Sequence, residues 1–169
     1  MYLIDEYVVH TTGGICRVAE IAPLAIPGAD KNALYYYLMP IRENGSKVFV
    51  PVNNDSAIRK VCTEEEAWNL IDEIPCIEEL IVENDKMREV SYKAIIKSCD
   101  LRQLVSIIKS LMTRKREREE AGKRSTATDD KYLKIAEENL FSELAFAIGR
   151  NKLEMRDIIA ERIGTLSLT

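Results

Sequence analysis

The chain holds one histidine, His10, and four cysteines, Cys16, Cys62, Cys76 and Cys99. A thiol beside an imidazole can become a nucleophile, because the imidazole takes its proton. His10 and Cys16 lie six positions apart on segments that read as neighbouring strands. No Asn or Asp is clearly placed to orient the imidazole, so a strand histidine beside a buried thiol is the simpler reading. A single histidine excludes any site built on two, such as an HExxH zinc centre. No two cysteines fall within three residues, which argues against a zinc-binding pair. Neither GxGxxG nor GxxxxGK occurs, so no glycine-rich phosphate cradle is indicated. Glu64, Glu65 and Glu66 form a carboxylate cluster, but at a helix start they serve capping and the helix dipole. Trp68, the one tryptophan, sits beside Ala67 and one turn before Ile71, so packing accounts for it. The expectation is no catalytic residue, no metal site and no cofactor.

What must then be positioned is surface, and two kinds of element supply it. Through residue 62 the sequence reads as strands. Tyr7-Val8-Val9 and Ile15–Ile21 flank Thr11-Thr12-Gly13-Gly14, a turn signal. Leu34–Met39 and Lys47–Val52 flank Asn44-Gly45, a strong hairpin cue. Pro51 cannot donate to a ladder, so its strand ends there or lies on an edge. From Thr63 onward the period changes to that of helices. Thr63 and Glu66 make a capping box, and Pro75 follows the end of that helix. A second helix is predicted from about Asn84 to Ser98. A third begins near Asp100 with Leu101, Leu104, Val105, Ile108 and Leu111 on one face, and runs into Arg114–Glu120 as solvent-facing residues toward a cap at Gly122. Thr126 opens a fourth with Asp129 and Asp130 in its first turn, Gly149 ends it, and a short fifth covers roughly 152–163. The fold class is therefore α+β: a small antiparallel β barrel at 1–62, then an all-α domain at 63–169. Within the latter, 63–83 form a linking helix and connector and 84–169 a compact bundle.

Hydrophobic residues make up 46% of the chain and charged residues 31%, which is globular composition and excludes a fully disordered chain. No run of 18 apolar residues exists to span a membrane, and the acidic N-terminus does not read as a secretory signal. Scattered cysteines in a chain this long fit reduced thiols in the cytoplasm. The net charge of −4 hides segregation: −9 over residues 1–85, +7 over 86–124 and −2 over 125–169. A positive block in an acidic protein is the footprint of a polyanion-binding face. An edge-bearing barrel adds a means of docking protein by strand addition. Together these describe an adaptor between a protein and a nucleic acid.

The ordered set Tyr7-Val8-Val9-His10, Gly14-Ile15-Cys16-Arg17-Val18, Tyr35-Tyr36-Tyr37-Leu38, Val48-Phe49-Val50-Pro51-Val52-Asn53 and Ile58-Arg59 resembles the N-terminal half of the CarD/CdnL family of bacterial transcription regulators. Asn84–Arg88, Tyr92-Lys93, Ser98-Cys99-Asp100 and Lys131–Ala145 resemble its second half. The resemblance implies a Tudor-like (SH3-like) barrel that binds the RNA polymerase β subunit. It implies a helical domain that meets promoter DNA at the upstream edge of the bubble, largely without sequence preference, and so changes the life of the open complex. It also implies a bacterial, cytoplasmic protein, held at the nucleoid through polymerase; a monomer is expected. The residues expected to touch polymerase are Lys47, Phe49 and Pro51. Those expected to touch DNA are Lys86, Arg88, Lys93, Lys97, Arg114, Lys115 and Arg118, with Ile81 or Val82 as an apolar wedge. The alternative is a protein-only module that binds polymerase or another partner and has no DNA role.

Departures from the family pattern are concentrated at a few positions. The family usually has Gly-Asp before the first strand, where this chain has Asp5-Glu6. It often has Ser-Gly-Asp between the second and third helices, where this chain has Ser98-Cys99-Asp100, making a left-handed turn costlier. It commonly carries a tryptophan just before the second helix, where this chain reads Leu80-Ile81-Val82-Glu83-Asn84.

Overall fold

A computed structural model describes residues 1–11, 14–42 and 46–164. The chain divides into two compact units, Met1–Val61 and Cys62–Thr169. The turns expected at Thr12-Gly13 and at Glu43-Asn44-Gly45 fall outside the described residues.

The first unit is a five-stranded antiparallel sheet in the order β4-β3-β2-β1-β5, curved into a half-barrel. Its strands are β1 (Tyr7–His10), β2 (Gly14–Pro23), β3 (Leu34–Pro40), β4 (Val48–Pro51) and β5 (Ile58–Lys60). Strand side chains alternate between faces, and one face buries Val8, Cys16, Val18, Tyr36, Leu38, Val50 and Ile58 together. The register slips between Val18 and Glu20, a bulge that bends the long β2. β4 starts at Val48, so Lys47, expected on that strand, lies just ahead of it. The strand ends at Pro51 and is outermost in the order, which satisfies both alternatives read from that proline.

The second unit is helical. Thr63 caps α1 (Glu64–Glu73) with the reciprocal bonds of a capping box: its hydroxyl accepts from the Glu66 N–H, and its own N–H donates to the Glu66 carboxylate. A 3-10 turn at Asp85–Met87, capped by Asn84, leads into α2 (Arg88–Ser98). Asp100 caps α3 (Leu101–Glu120), and Thr126 caps α4 (Ala127–Ile148). Gly122 and Gly149 take left-handed angles just past those helices. A 3-10 turn at Lys152–Glu154 precedes α5 (Met155–Ile163). The core joins Ala67, Leu70 and Ile71 of α1, Tyr92 and Ile95 of α2, Leu104, Val105, Ile108 and Leu111 of α3, Tyr132, Ala136, Leu140 and Leu144 of α4, and Met155 and Ile159 of α5. Trp68 packs half-buried against that core under the Arg162 guanidinium, whose carbon is 5.6 Å from the ring centre.

Among the described residues, the non-glycine positions with positive φ are Asp5 at 68° and Cys99 at 54°. Both stand where the family pattern has glycine. Asp5 pairs with Arg17 at 2.5 Å, while Cys99 is buried between α2 and α3. A left-handed residue with a Cβ costs about 1–2 kcal/mol. Cys99→Val, though more apolar, is therefore expected to lower unfolding free energy by about 1–2 kcal/mol, since β-branching worsens that conformation. Cys99→Gly should stay within about 1 kcal/mol of the natural protein, because relief of strain offsets the lost thiol contacts. Denaturant unfolding measures both. A Val variant more stable than the Gly variant would mean that packing, not backbone strain, governs this position.

Candidate interaction faces

The outer face of the sheet edge is aromatic. Tyr37 lies opposite Phe49 and Tyr35 opposite Pro51 across the β3–β4 ladder. The Tyr37 and Phe49 rings meet edge-to-face with centroids 4.9 Å apart. The Tyr37 hydroxyl donates to the Pro23 carbonyl at 2.8 Å, and Phe49 remains 42% exposed. The Val52 N–H donates to the Leu34 carbonyl, on the β3 side. By the two-residue alternation of a strand, Val50 also bonds toward β3, and the backbone groups of Phe49 and Pro51 point away from the sheet. The missing N–H of Pro51 thus falls on the outward side, where it costs the ladder nothing. Lys47 is exposed beside this edge.

The basic face is built on α2. Tyr92 and Ile95 turn into the core, which puts Lys86, Val90, Lys93 and Lys97 on the opposite, exposed side. These lysines span eleven positions, roughly 16 Å along the axis. Lys93 pairs with Glu89 at 3.1 Å; that bond holds the Lys93 amine above and the Glu89 carboxyl below their ordinary pKa values. Lys86, Lys97 and Lys115 make no ion pair among the described residues, and all are exposed.

The arginines are differently disposed. Arg88 is engaged by Asp85, whose hydrogen bond raises the arginine and lowers the aspartate. Arg114, expected to face solvent, instead turns inward. Its Nε donates to the Asp129 carboxylate at 2.7 Å, and Asp129 itself is only 6% exposed. Packing of α3 on α4 brings the two together, and a buried carboxylate requires a charged partner. Arg114 also approaches Asp85 at 3.7 Å. Arg118, half-buried, donates to the Arg124 carbonyl at 2.9 Å. The open lysines, rather than these arginines, form the accessible positive surface.

Ile81 stands out from the connector with 84% of its surface exposed, while Val82 is half-buried. Met87 and Val90, 50% and 56% exposed, add apolar surface at the start of α2. The signal for such a face was present in sequence, as apolar side chains set among the lysines.

Cys16 pairs opposite Val8, not His10. Burial pushes its thiol up to about 11 and pushes the His10 imidazole down, the reverse of what a nucleophilic pair needs. Among the described residues, no three His, Cys, Asp or Glu side chains gather to hold a metal ion, and no helix is long and apolar enough to cross a membrane.

Comparison with protein families decides the first unit: the model of the CarD-like/TRCF RID domain matches residues 2–62. Those residues are a CarD-like RID domain. This is the RNA polymerase-interacting domain found in CarD-like proteins, and its family interacts with the polymerase β subunit. The chain is accordingly a transcription-related, polymerase-interacting protein, and the RID family is a non-enzymatic interaction domain. No curated protein matches the chain. In the RID domain the Tyr37–Phe49 ring pair lies at the β4 edge, whose strand is outermost in the sheet.

Proposed function

We propose that the RID domain docks on the polymerase β subunit through β4, and that the helical unit touches upstream promoter DNA and modulates the life of the open complex. The observation that carries this reading is the exposed Ile81, followed in the chain by the exposed lysines of the turn before α2 and of α2. Lysines at helical spacing neutralise phosphates, and an aliphatic side chain can wedge between base steps. The alternative, a module that binds polymerase with no DNA role, is favoured by the absence of tryptophan at 80–84 and by the engagement of Arg88 and Arg114 with aspartates.

Co-purification with polymerase and decay of open complexes test the two readings. Ile81→Trp is expected to lengthen open-complex life several-fold. An aromatic plane covers an unstacked base at the fork, worth about 1–3 kcal/mol, part of which is lost to imperfect fit. Because Ile81 is 84% exposed, the substitution meets no core, and the melting temperature should not change. Unchanged decay with an unchanged melting temperature would favour the protein-only reading.

A further inference from the structure

The connector that carries Ile81 is tied to one polar row of α3. Ser106, Lys109 and Thr113 follow one another at helical spacing, so they share a face of that helix. Each bonds to the connector. The Ser106 carbonyl accepts from the Leu80 N–H at 3.2 Å. The Lys109 Nζ donates to the Ile77 carbonyl at 2.7 Å and reaches the Pro75 carbonyl at 3.5 Å. The Thr113 hydroxyl donates to the Glu79 carboxylate at 2.7 Å. On the far side of Ile81, the Asn84 side chain accepts from the Lys86 N–H at 3.0 Å. Ile81 thus follows a flank tied to α3 and precedes a locally capped turn, which leaves its backbone less freedom to lose on binding.

Lys109 belongs to the positive block, yet its amine does not serve the exterior. Partial burial lowers its pKa, and its bonds run to backbone carbonyls. A lysine spent on carbonyls orders the chain that provides them.

The geometry points to Lys109 and Thr113 as positioning residues that hold Ile81 in place for DNA whose strands have begun to separate. This rests on the reading of Ile81 as a wedge. The residues act through Ile81 and touch no DNA themselves.

The test uses the full chain, with fluorescence anisotropy on a fork-junction oligonucleotide and on a fully paired duplex of the same sequence. Lys109→Met and Thr113→Val should each lower the ratio of fork to duplex affinity about three- to tenfold, within the range of couplings between neighbouring residues. Affinity for the duplex should be unchanged, whereas loss of a phosphate contact would weaken both. Lys109→Arg, still a donor, should retain the ratio. In an Ile81→Ser background, Lys109→Met should add no further loss. The same proportional loss in both backgrounds, or an unchanged ratio, would overturn the assignment. Should Ile81→Ser alone leave the ratio intact, the wedge itself falls, and the positioning role with it. Melting temperatures accompany each variant; Thr113→Val is nearly isosteric, so it still reads the effect if Lys109→Met does not fold.

Discussion

Phe49→Asp is expected to weaken binding to the polymerase β subunit about thirtyfold or more, the scale of an aromatic hot spot worth 2 kcal/mol or above. Phe49 occupies the edge strand, its backbone groups point outward, and its ring is braced against Tyr37 at 4.9 Å. A partner strand laid along β4 would meet that ring first, with Tyr35 and Pro51 on the same face. Aspartate replaces an ordered apolar surface with a hydrated charge. It also removes the edge-to-face contact, so some loss of domain stability, about 0.5–1.5 kcal/mol, should accompany it. Lys60→Glu on β5, the opposite edge, is the control and should leave binding unchanged. Pull-down with the β subunit, alongside melting curves, separates lost contact from lost fold. Equal loss from both variants would show that the partner does not choose the β4 edge.

Signals that act within a few residues were legible in the sequence. The capping box at Thr63, the caps at Asp100 and Thr126, and the stops at Gly122 and Gly149 all depend on neighbours within one turn. Leu34–Met39 read as a strand, but the run is apolar throughout, so only the sheet decided that Tyr36 and Leu38 face inward. The cost assigned to Cys99 came from the glycine that the family pattern has there, and the positive φ agrees with it. Partnerships between distant segments were not legible. Arg114 continues past the apolar stripe of α3, so periodicity left it in solvent. Its partner Asp129 is fifteen positions away and looked like an ordinary first-turn acid. Only the packing of α3 on α4 joins them. Lys109 likewise counted as one charge among many in the positive block, until the connector placed two carbonyls at its amine. Composition located the positive surface, and tertiary structure decided which of its charges remain free.

That distinction fixes the second large effect. The combined variant Lys86→Glu, Lys93→Glu and Lys97→Glu is expected to reduce affinity of the full chain for duplex DNA by about two orders of magnitude at 0.1 M salt. Each neutralised phosphate contributes about 0.9 to the slope of log affinity against log salt. Four contacts, these lysines and Lys115, predict a slope of roughly −3 to −4 for the natural protein. Between 1 M and 0.1 M salt, three such contacts account for roughly two and a half decades of affinity, and the variant's slope should fall to about −1. The fold should tolerate the change, because all three side chains are exposed and face away from Tyr92 and Ile95. Lys93→Glu does set a like charge one turn from Glu89, a cost of about 0.2–0.5 kcal/mol on a helix surface. Arg114→Glu should behave in the opposite manner. It would leave two carboxylates facing each other at a buried site, so its main effect should be a lower melting temperature, with the salt slope nearly unchanged in whatever fraction remains folded. Lys31→Glu with Lys47→Glu and Lys60→Glu, in the RID domain, makes the same change in net charge and controls for it. Anisotropy titrations across a salt series supply the slopes. A triple variant that keeps the natural slope would remove α2 from the DNA face, and a flat slope in the natural protein would remove DNA altogether, leaving a polymerase-bound module that acts through protein contacts alone.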